Sequence, residues 1–163
     1  IGMEKKMLVI YLSLCLLVIS FVLVPDKKII GYGKTMKNDA EYIFHTLSIP
    51  SEVEQSDVKI VQNGNGYIIK CNQSVAKKIK PLLTIQGESV RFKVDSKQEV
   101  MKIIDGLNVD TVMLENIDGI YTFYGYNKMK SNLVYINNQK VNIELAYKDG
   151  IVTIGLPIIL GDY

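Results

Sequence analysis

The chain has 163 residues, of which 48% are hydrophobic, and carries a formal net charge of +2. From Ile29 to Tyr163, fourteen lysines and Arg91 stand against fifteen acidic residues, so this part is neutral. Nucleic-acid binding is therefore disfavoured, because it depends on an excess of Lys and Arg that neutralises phosphates.

An uncharged apolar run extends from Met7 to Val24. As a helix it would cover ~27 Å, close to the ~30 Å hydrocarbon thickness of a bilayer. Lys5 and Lys6 precede it, which favours a cytoplasmic N-terminus. We expect a cytoplasmic segment over 1–6, a single-pass signal-anchor in the cell membrane over 7–24, a linker over 25–35 and an extracytoplasmic domain over 36–163. The alternative is a cleaved signal peptide and a secreted domain.

The domain is predicted to begin with a helix over Asp39–Leu47. Asn38 and Glu41 have the spacing of a capping box, and Ile43 and Phe44 begin an apolar stripe. Pro50 would end this helix.

A β-hairpin is predicted next. Val58–Gln62 and Tyr67–Asn72 are β-prone runs, and the Asn and Gly residues of 63–66 tolerate the positive φ of a tight turn. A short helix over Ser74–Leu83 and a strand over Val90–Val94 follow. Alternation along that strand places three apolar side chains on one face and two cations on the other.

Ser96 and Glu99 form a second capping box, which predicts a helix up to about Gly106. Its expected buried stripe is Val100, Met101, Ile103, Ile104 and Leu107. Short strands then follow, separated by turns such as those at 118–119 and 149–150, and their short connections favour an antiparallel meander. The expected strands are Thr111–Glu115, Ile120–Tyr126, Leu133–Ile136, Val141–Tyr147 and Ile151–Ile154. An ordered C-terminal tail, or alternatively an exposed apolar patch, completes the chain.

Residues that carry chemistry are sparse. His45 is the single histidine, which excludes a His-rich metal site, and no P-loop or nucleophile-elbow motif occurs. Cys15 lies in the apolar run, so we expect no disulfide with Cys71, which we interpret as an inward, unreactive thiol. A nucleophilic pair of Cys71 with His45 is disfavoured. The sequence predicts no catalytic residue, cofactor or metal.

Aromatic residues concentrate in the strand region. Tyr121 and Phe123 should share one face of a strand and Tyr124 and Tyr126 the other, so at least one pair can lie away from the core. The candidate binding surface is Tyr121, Phe123, Tyr124, Tyr126, Leu156 and Ile158. Aromatic side chains also fill sheet faces, and for these aromatics packing is favoured over binding.

The stretches 118–126, 138–142 and 149–159 carry a family resemblance. Through them, the segment from about Gly87 to Tyr163 resembles the YwmB family of Gram-positive bacteria. It implies an exported domain of spore-forming organisms whose fold is similar to that of the TATA-box-binding protein, a curved antiparallel sheet backed by helices. The expected class is therefore α+β. The family has no established activity and offers no catalytic residues, and its fold name is no argument for DNA binding.

These observations favour a membrane-anchored, extracytoplasmic, non-enzymatic domain that binds a protein or a cell-envelope component, in keeping with a sporulation role. One alternative is an envelope enzyme that uses scattered carboxylates and tyrosines. Another is a structural module that self-associates through sheet edges or its tail.

Overall fold

The computed structural model describes residues 39–128, 130 and 132–160. The expected membrane segment over 7–24, its flank over 1–6 and the linker over 25–35 lie outside these residues. The described helices are α1 (Ser51–Glu54), α2 (Gln73–Ile79), extended by a 3-10 turn at Lys80–Leu82, and α3 (Lys97–Leu107). The described strands are β1 (Glu41–Thr46), β2 (Lys59–Asn63), β3 (Gly66–Asn72), β4 (Ile85–Lys93), β5 (Asp110–Ile117), β6 (Ile120–Tyr126), β7 (Val134–Ile136), β8 (Gln139–Val141), β9 (Ile143–Lys148) and β10 (Ile151–Leu156).

Eight of these strands form one antiparallel sheet in the order β2-β3-β1-β4-β10-β9-β6-β5. The chain is thus of the α+β class, as expected. β1 lies between β3 and β4, while β10 pairs with both β4 and β9. The pairing of β4 with β10 joins a four-stranded N-terminal half to a four-stranded C-terminal half. β7 and β8 form a separate hairpin.

The main core lies between one face of the sheet and the three helices. Tyr42 and Phe44 from β1 and Ile154 from β10 are at most 1% exposed there. The helices contribute Val53, Ala76, Ile79, Val100 and Leu107 to the same cluster. Burial of these apolar surfaces supplies the main driving force for the fold.

The C-terminal segment 157–160 crosses the other face of the sheet. The Ile159 amide donates to Glu144 Oε2 at 2.8 Å, and His45 Nε2 lies 2.5 Å from the Leu160 carbonyl oxygen. A Cβ at Gly155 would overlap the backbone of residues 158 and 159. Gly155 therefore leaves the space in which this segment, which we call the C-terminal strap, lies. The expected ordered tail is confirmed for these four residues.

Local signals predicted several elements correctly. β2 and β3 form the expected hairpin, with Gly64 at φ +57° in the turn. The Ser96 hydroxyl accepts from the Glu99 amide and begins α3, while Glu99 Oε2 accepts from the Asp95 amide at 2.8 Å. All four residues of the predicted turns at 118–119 and 149–150 have a positive φ.

The predicted helix over Asp39–Leu47 is wrong, because residues 41–46 form β1. Phe44 on one face and His45 on the other are both buried, and β1 has a hydrogen-bonded strand on either side. A central strand that is buried on both faces has consecutive apolar residues in its sequence. Periodicity alone does not distinguish such a short apolar run from the buried side of a helix. Pro50 precedes α1, which the sequence did not predict.

Two smaller corrections concern the second half. Met101 is 58% exposed rather than buried, although Val100 and Leu107 are buried as expected. The strand predicted over Val141–Tyr147 is interrupted at Asn142, whose buried side chain exchanges two 2.8 Å hydrogen bonds with the backbone of Asn127. This side chain ties β9 to the loop after β6.

Candidate functional site

An apolar groove of about 380 Å³ lies between α3 and the strands β5, β6 and β9. The groove forms because α3 covers only part of this end of the sheet, and because β5 is the terminal strand. Its size falls within the roughly 300–1,000 Å³ typical of small-molecule pockets. It is therefore a concavity with the dimensions of a ligand site.

The floor of the groove consists of two rows of side chains that run across the strands. Leu114, Phe123 and Leu145 are register partners and form an apolar row. Asn116, Tyr121 and Tyr147 are the next row on the same face and carry an amide and two phenols. From α3, the groove is lined by Val100, Met101 and Ile104. One end of the groove is consequently apolar and the other is more polar.

A cation marks the polar end. Lys97 Nζ lies 4.9 Å from the ring centroid of Tyr121, within the range of a cation–π interaction. The Tyr121 ring is in turn 6.5 Å from that of Tyr147, with an interplanar angle of 39°. Glu115 also borders the groove, but its carboxylate accepts a 3.3 Å hydrogen bond from Tyr124 on the opposite face.

Several apolar side chains around the groove are open to solvent. Leu114 is 70% exposed, Met101 58% and Tyr121 46%. Phe123 below them is buried. Solvent-exposed apolar side chains that surround a concavity are typical of a binding site.

The structure brings together two of the six predicted binding residues. Tyr121 and Phe123 lie in the groove, whereas Tyr124 and Tyr126 lie on the opposite face, as alternation predicted. Burial and the nearby carboxylates of residues 144 and 115 raise the pKa of Tyr124 to about 12. Leu156 is half-buried against the core, and Ile158 is half-buried in the strap.

Sequence reasoning missed Leu114, Met101, Ile104 and Tyr147 as groove residues. The sequence showed that Leu114 is an apolar residue in a predicted strand. It did not show that this strand lies at the end of the sheet. Met101 was assigned to the buried stripe of α3. The groove depends on how far the helix extends over the sheet, which no local pattern reports.

Cys71 and His45 do not approach one another as a nucleophilic pair. The register pairs Cys71 with Tyr42 and therefore places His45 on the opposite face of the sheet. Burial raises the pKa of the Cys71 thiol to about 11, which makes it a poor nucleophile at neutral pH. Burial lowers the pKa of His45, opposed by its contact with the Leu160 carbonyl.

A buried ion pair joins the 3-10 turn that follows α2 to β4. Lys80 Nζ contacts Glu88 Oε2, with both side chains 10% exposed, and lies 6.0 Å from the Phe44 ring centroid. The attraction between the two opposite charges offsets the free-energy cost of burying them. We therefore interpret this pair as part of the packed interior.

Within residues 39–128, 130 and 132–160, no group of three or more His, Cys, Asp or Glu side chains is placed to hold a metal ion. In the same part of the chain, none of the helices has the length and hydropathy needed to cross a bilayer.

The fold and the groove define the chain as an α+β protein with one large antiparallel sheet and a ligand-sized apolar concavity. No family model matches the chain, and no curated protein is similar to it in sequence. The resemblance to the YwmB family stays a prediction.

Proposed function

We propose that the protein is a non-enzymatic binding domain, anchored outside the cytoplasm by residues 7–24, that takes an apolar part of a protein or cell-envelope component into the groove between α3 and β5–β6. The observation that carries this proposal is the solvent exposure of Leu114 and Met101 around an apolar concavity. Exposing such side chains to water is unfavourable, and an occupant that covers them gains that free energy on binding.

The proposal includes the fold relationship that the resemblance to the YwmB family implies. An eight-stranded antiparallel sheet with helices packed on one face supports an architecture similar to the TATA-box-binding protein, and with it a YwmB-like exported domain of spore-forming bacteria. The neutral charge of the domain supports a partner other than nucleic acid.

Site-specific photocrosslinking in the native membrane tests the groove. A photoreactive amino acid placed at Leu114 should form an adduct, whereas the same amino acid at Leu47 should not. Leu47 is the matched control, because it is 61% exposed but follows β1. A Met101→Glu change in the Leu114-labelled chain should abolish the adduct, since it places a charge in the apolar lining.

Equal labelling at Leu114 and Leu47, or an adduct that Met101→Glu leaves unchanged, would contradict the proposal. A crosslink between two copies of the chain would support the self-associating alternative instead.

Protease added to intact cells tests the location, because an extracytoplasmic domain should be digested while a cytoplasmic marker survives.

A further inference from the structure

We infer that the occupant of the groove is an anionic amphiphile with a single apolar chain, of which a long-chain fatty acid is the simplest example. This inference rests on the proposed function and names the chemical class of the ligand. It follows from the two rows of side chains, the cation at one end and the shape of the neighbouring sheet edge.

The apolar row fits the chain of such a molecule. Leu114, Phe123 and Leu145 offer only hydrocarbon from the sheet, and Val100 and Ile104 face them from α3. Water gains no hydrogen bonds from these side chains, so an alkyl chain that displaces it is stabilised in proportion to the area covered.

The polar row fits an anionic head group. Lys97 carries the positive charge at this end, and Asn116 and Tyr121 add neutral hydrogen-bonding groups in the next row of the sheet. The nearby acidic groups are engaged elsewhere: Glu115 accepts from Tyr124, and Glu99 accepts from the Asp95 amide. A carboxylate at this end would meet a cation and hydrogen-bond donors.

The edge strand disfavours an extended peptide as the occupant. A peptide would have to add to β5, the terminal strand, as a new strand of the sheet. The pairing of β5 with β6 shifts register between Thr111 and Met113, and such a bulge twists an edge away from further pairing. A small amphiphile requires no backbone pairing and is unaffected by this irregularity.

The test uses the full chain reconstituted in phosphatidylcholine nanodiscs, with a fatty acid that carries a photoreactive diazirine near the end of its chain. After irradiation, mass spectrometry of peptides locates the label. We expect label on the peptides that contain Met101 and Leu114. Unlabelled palmitate should compete for these positions, whereas its uncharged methyl ester should compete more weakly.

Matched variants separate the groove from the bilayer. Leu114→Asn should reduce labelling of the groove peptides about tenfold, since an apolar wall residue is lost. Ile117→Asn is the control and should leave labelling unchanged, because Ile117 is 62% exposed on the same strand but faces the other side of the sheet.

A second pair of variants tests the head group. Lys97→Gln should reduce the preference for the acid over the ester about threefold, as expected for an exposed charge. Lys102→Gln, on the same helix but outside the groove, should leave that preference unchanged.

Label confined to residues 7–24, or groove labelling that Leu114→Asn does not reduce, would overturn the inference. So would equal competition by the acid and the ester. If the fatty acid fails while the photoreactive residue at Leu114 forms an adduct with a polypeptide, the proposed binding function stands and only the amphiphile is excluded. If neither experiment labels the groove, both fail.

Discussion

Replacing Gly155 with alanine tests whether the C-terminal strap lies on the sheet. A Cβ at this position would overlap the backbone of residues 158 and 159, which cannot move aside as a flexible side chain would. The strap must therefore lift from the sheet, or β10 must shift away from its partners. In either case the folded state loses contacts. The unfolded chain does not make these contacts, so its free energy is unaffected by their loss.

The cost can be estimated from what the strap buries. Ile159 is 8% exposed, and returning such a side chain to water costs about 1.5–3 kcal/mol. Its amide also donates to Glu144 at 2.8 Å, and a hydrogen bond to a charged group contributes about 1.5–3 kcal/mol. Partial relaxation of the strap recovers some of both, so we expect Gly155→Ala to destabilise the protein by about 3 kcal/mol.

Gly106→Ala is the matched control. A Cβ there would meet nothing within 4 Å, and Gly106 lies in α3 without a positive φ. Alanine restricts the unfolded chain more than glycine does, so this change should stabilise the protein by roughly 0.5–1 kcal/mol. The same substitution should thus have opposite effects at the two positions.

Urea unfolding of the full chain, followed by circular dichroism in one detergent, provides the comparison. The Gly155→Ala midpoint should fall and the Gly106→Ala midpoint should rise, with unchanged slopes. A Gly155→Ala protein as stable as the original would refute the placement of the strap.

Three further predictions concern buried groups. Glu88→Leu should cost about 3 kcal/mol because Lys80 loses this buried carboxylate, and adding Lys80→Met should recover most of the loss in urea midpoints; a double variant no better than the single one would contradict this. Because the pKa of His45 in the fold lies below its ordinary 6.5, the unfolded chain binds the proton first, so stability should fall as pH drops from 6.5 toward the folded value. His45→Gln should remove that part of the pH dependence. If the stability of the His45→Gln protein changed with pH as that of the original protein does, the prediction would be wrong. In a Cys15→Ser background, folded Cys71 should react slowly with iodoacetamide at pH 9 and quickly in urea, because its pKa of about 11 returns to 9.0 on unfolding; equal rates would show an accessible thiol.

The elements that the sequence predicted correctly are those specified by a few neighbouring residues. Ser96 and Glu99 define the start of α3 through their own hydrogen bonds, and Gly64 supplies the positive φ of the β2–β3 turn. The prediction over Asp39–Leu47 failed because β1 is specified by β3 and β4, which lie many residues further along the chain.

The candidate site was less predictable than the fold. Tyr121 and Phe123 were found because alternation along one strand places them together. Leu114 and Met101 were not, because their exposure depends on the terminal position of β5 and on where α3 ends over the sheet. Leu156 and Ile158 belong to the core and the strap, since the chain folds back over Gly155.

The position of β10 has a consequence for the order in which the molecule can be completed. β4 ends at Lys93, but its second neighbour begins only at Ile151, close to the end of the chain. During synthesis, the edge of β4 that later pairs with β10 therefore has no partner while residues 94–150 are being made. An unpaired strand edge of this kind can pair with another molecule, so the period of greatest aggregation risk ends when β10 has emerged from the ribosome and paired with β4.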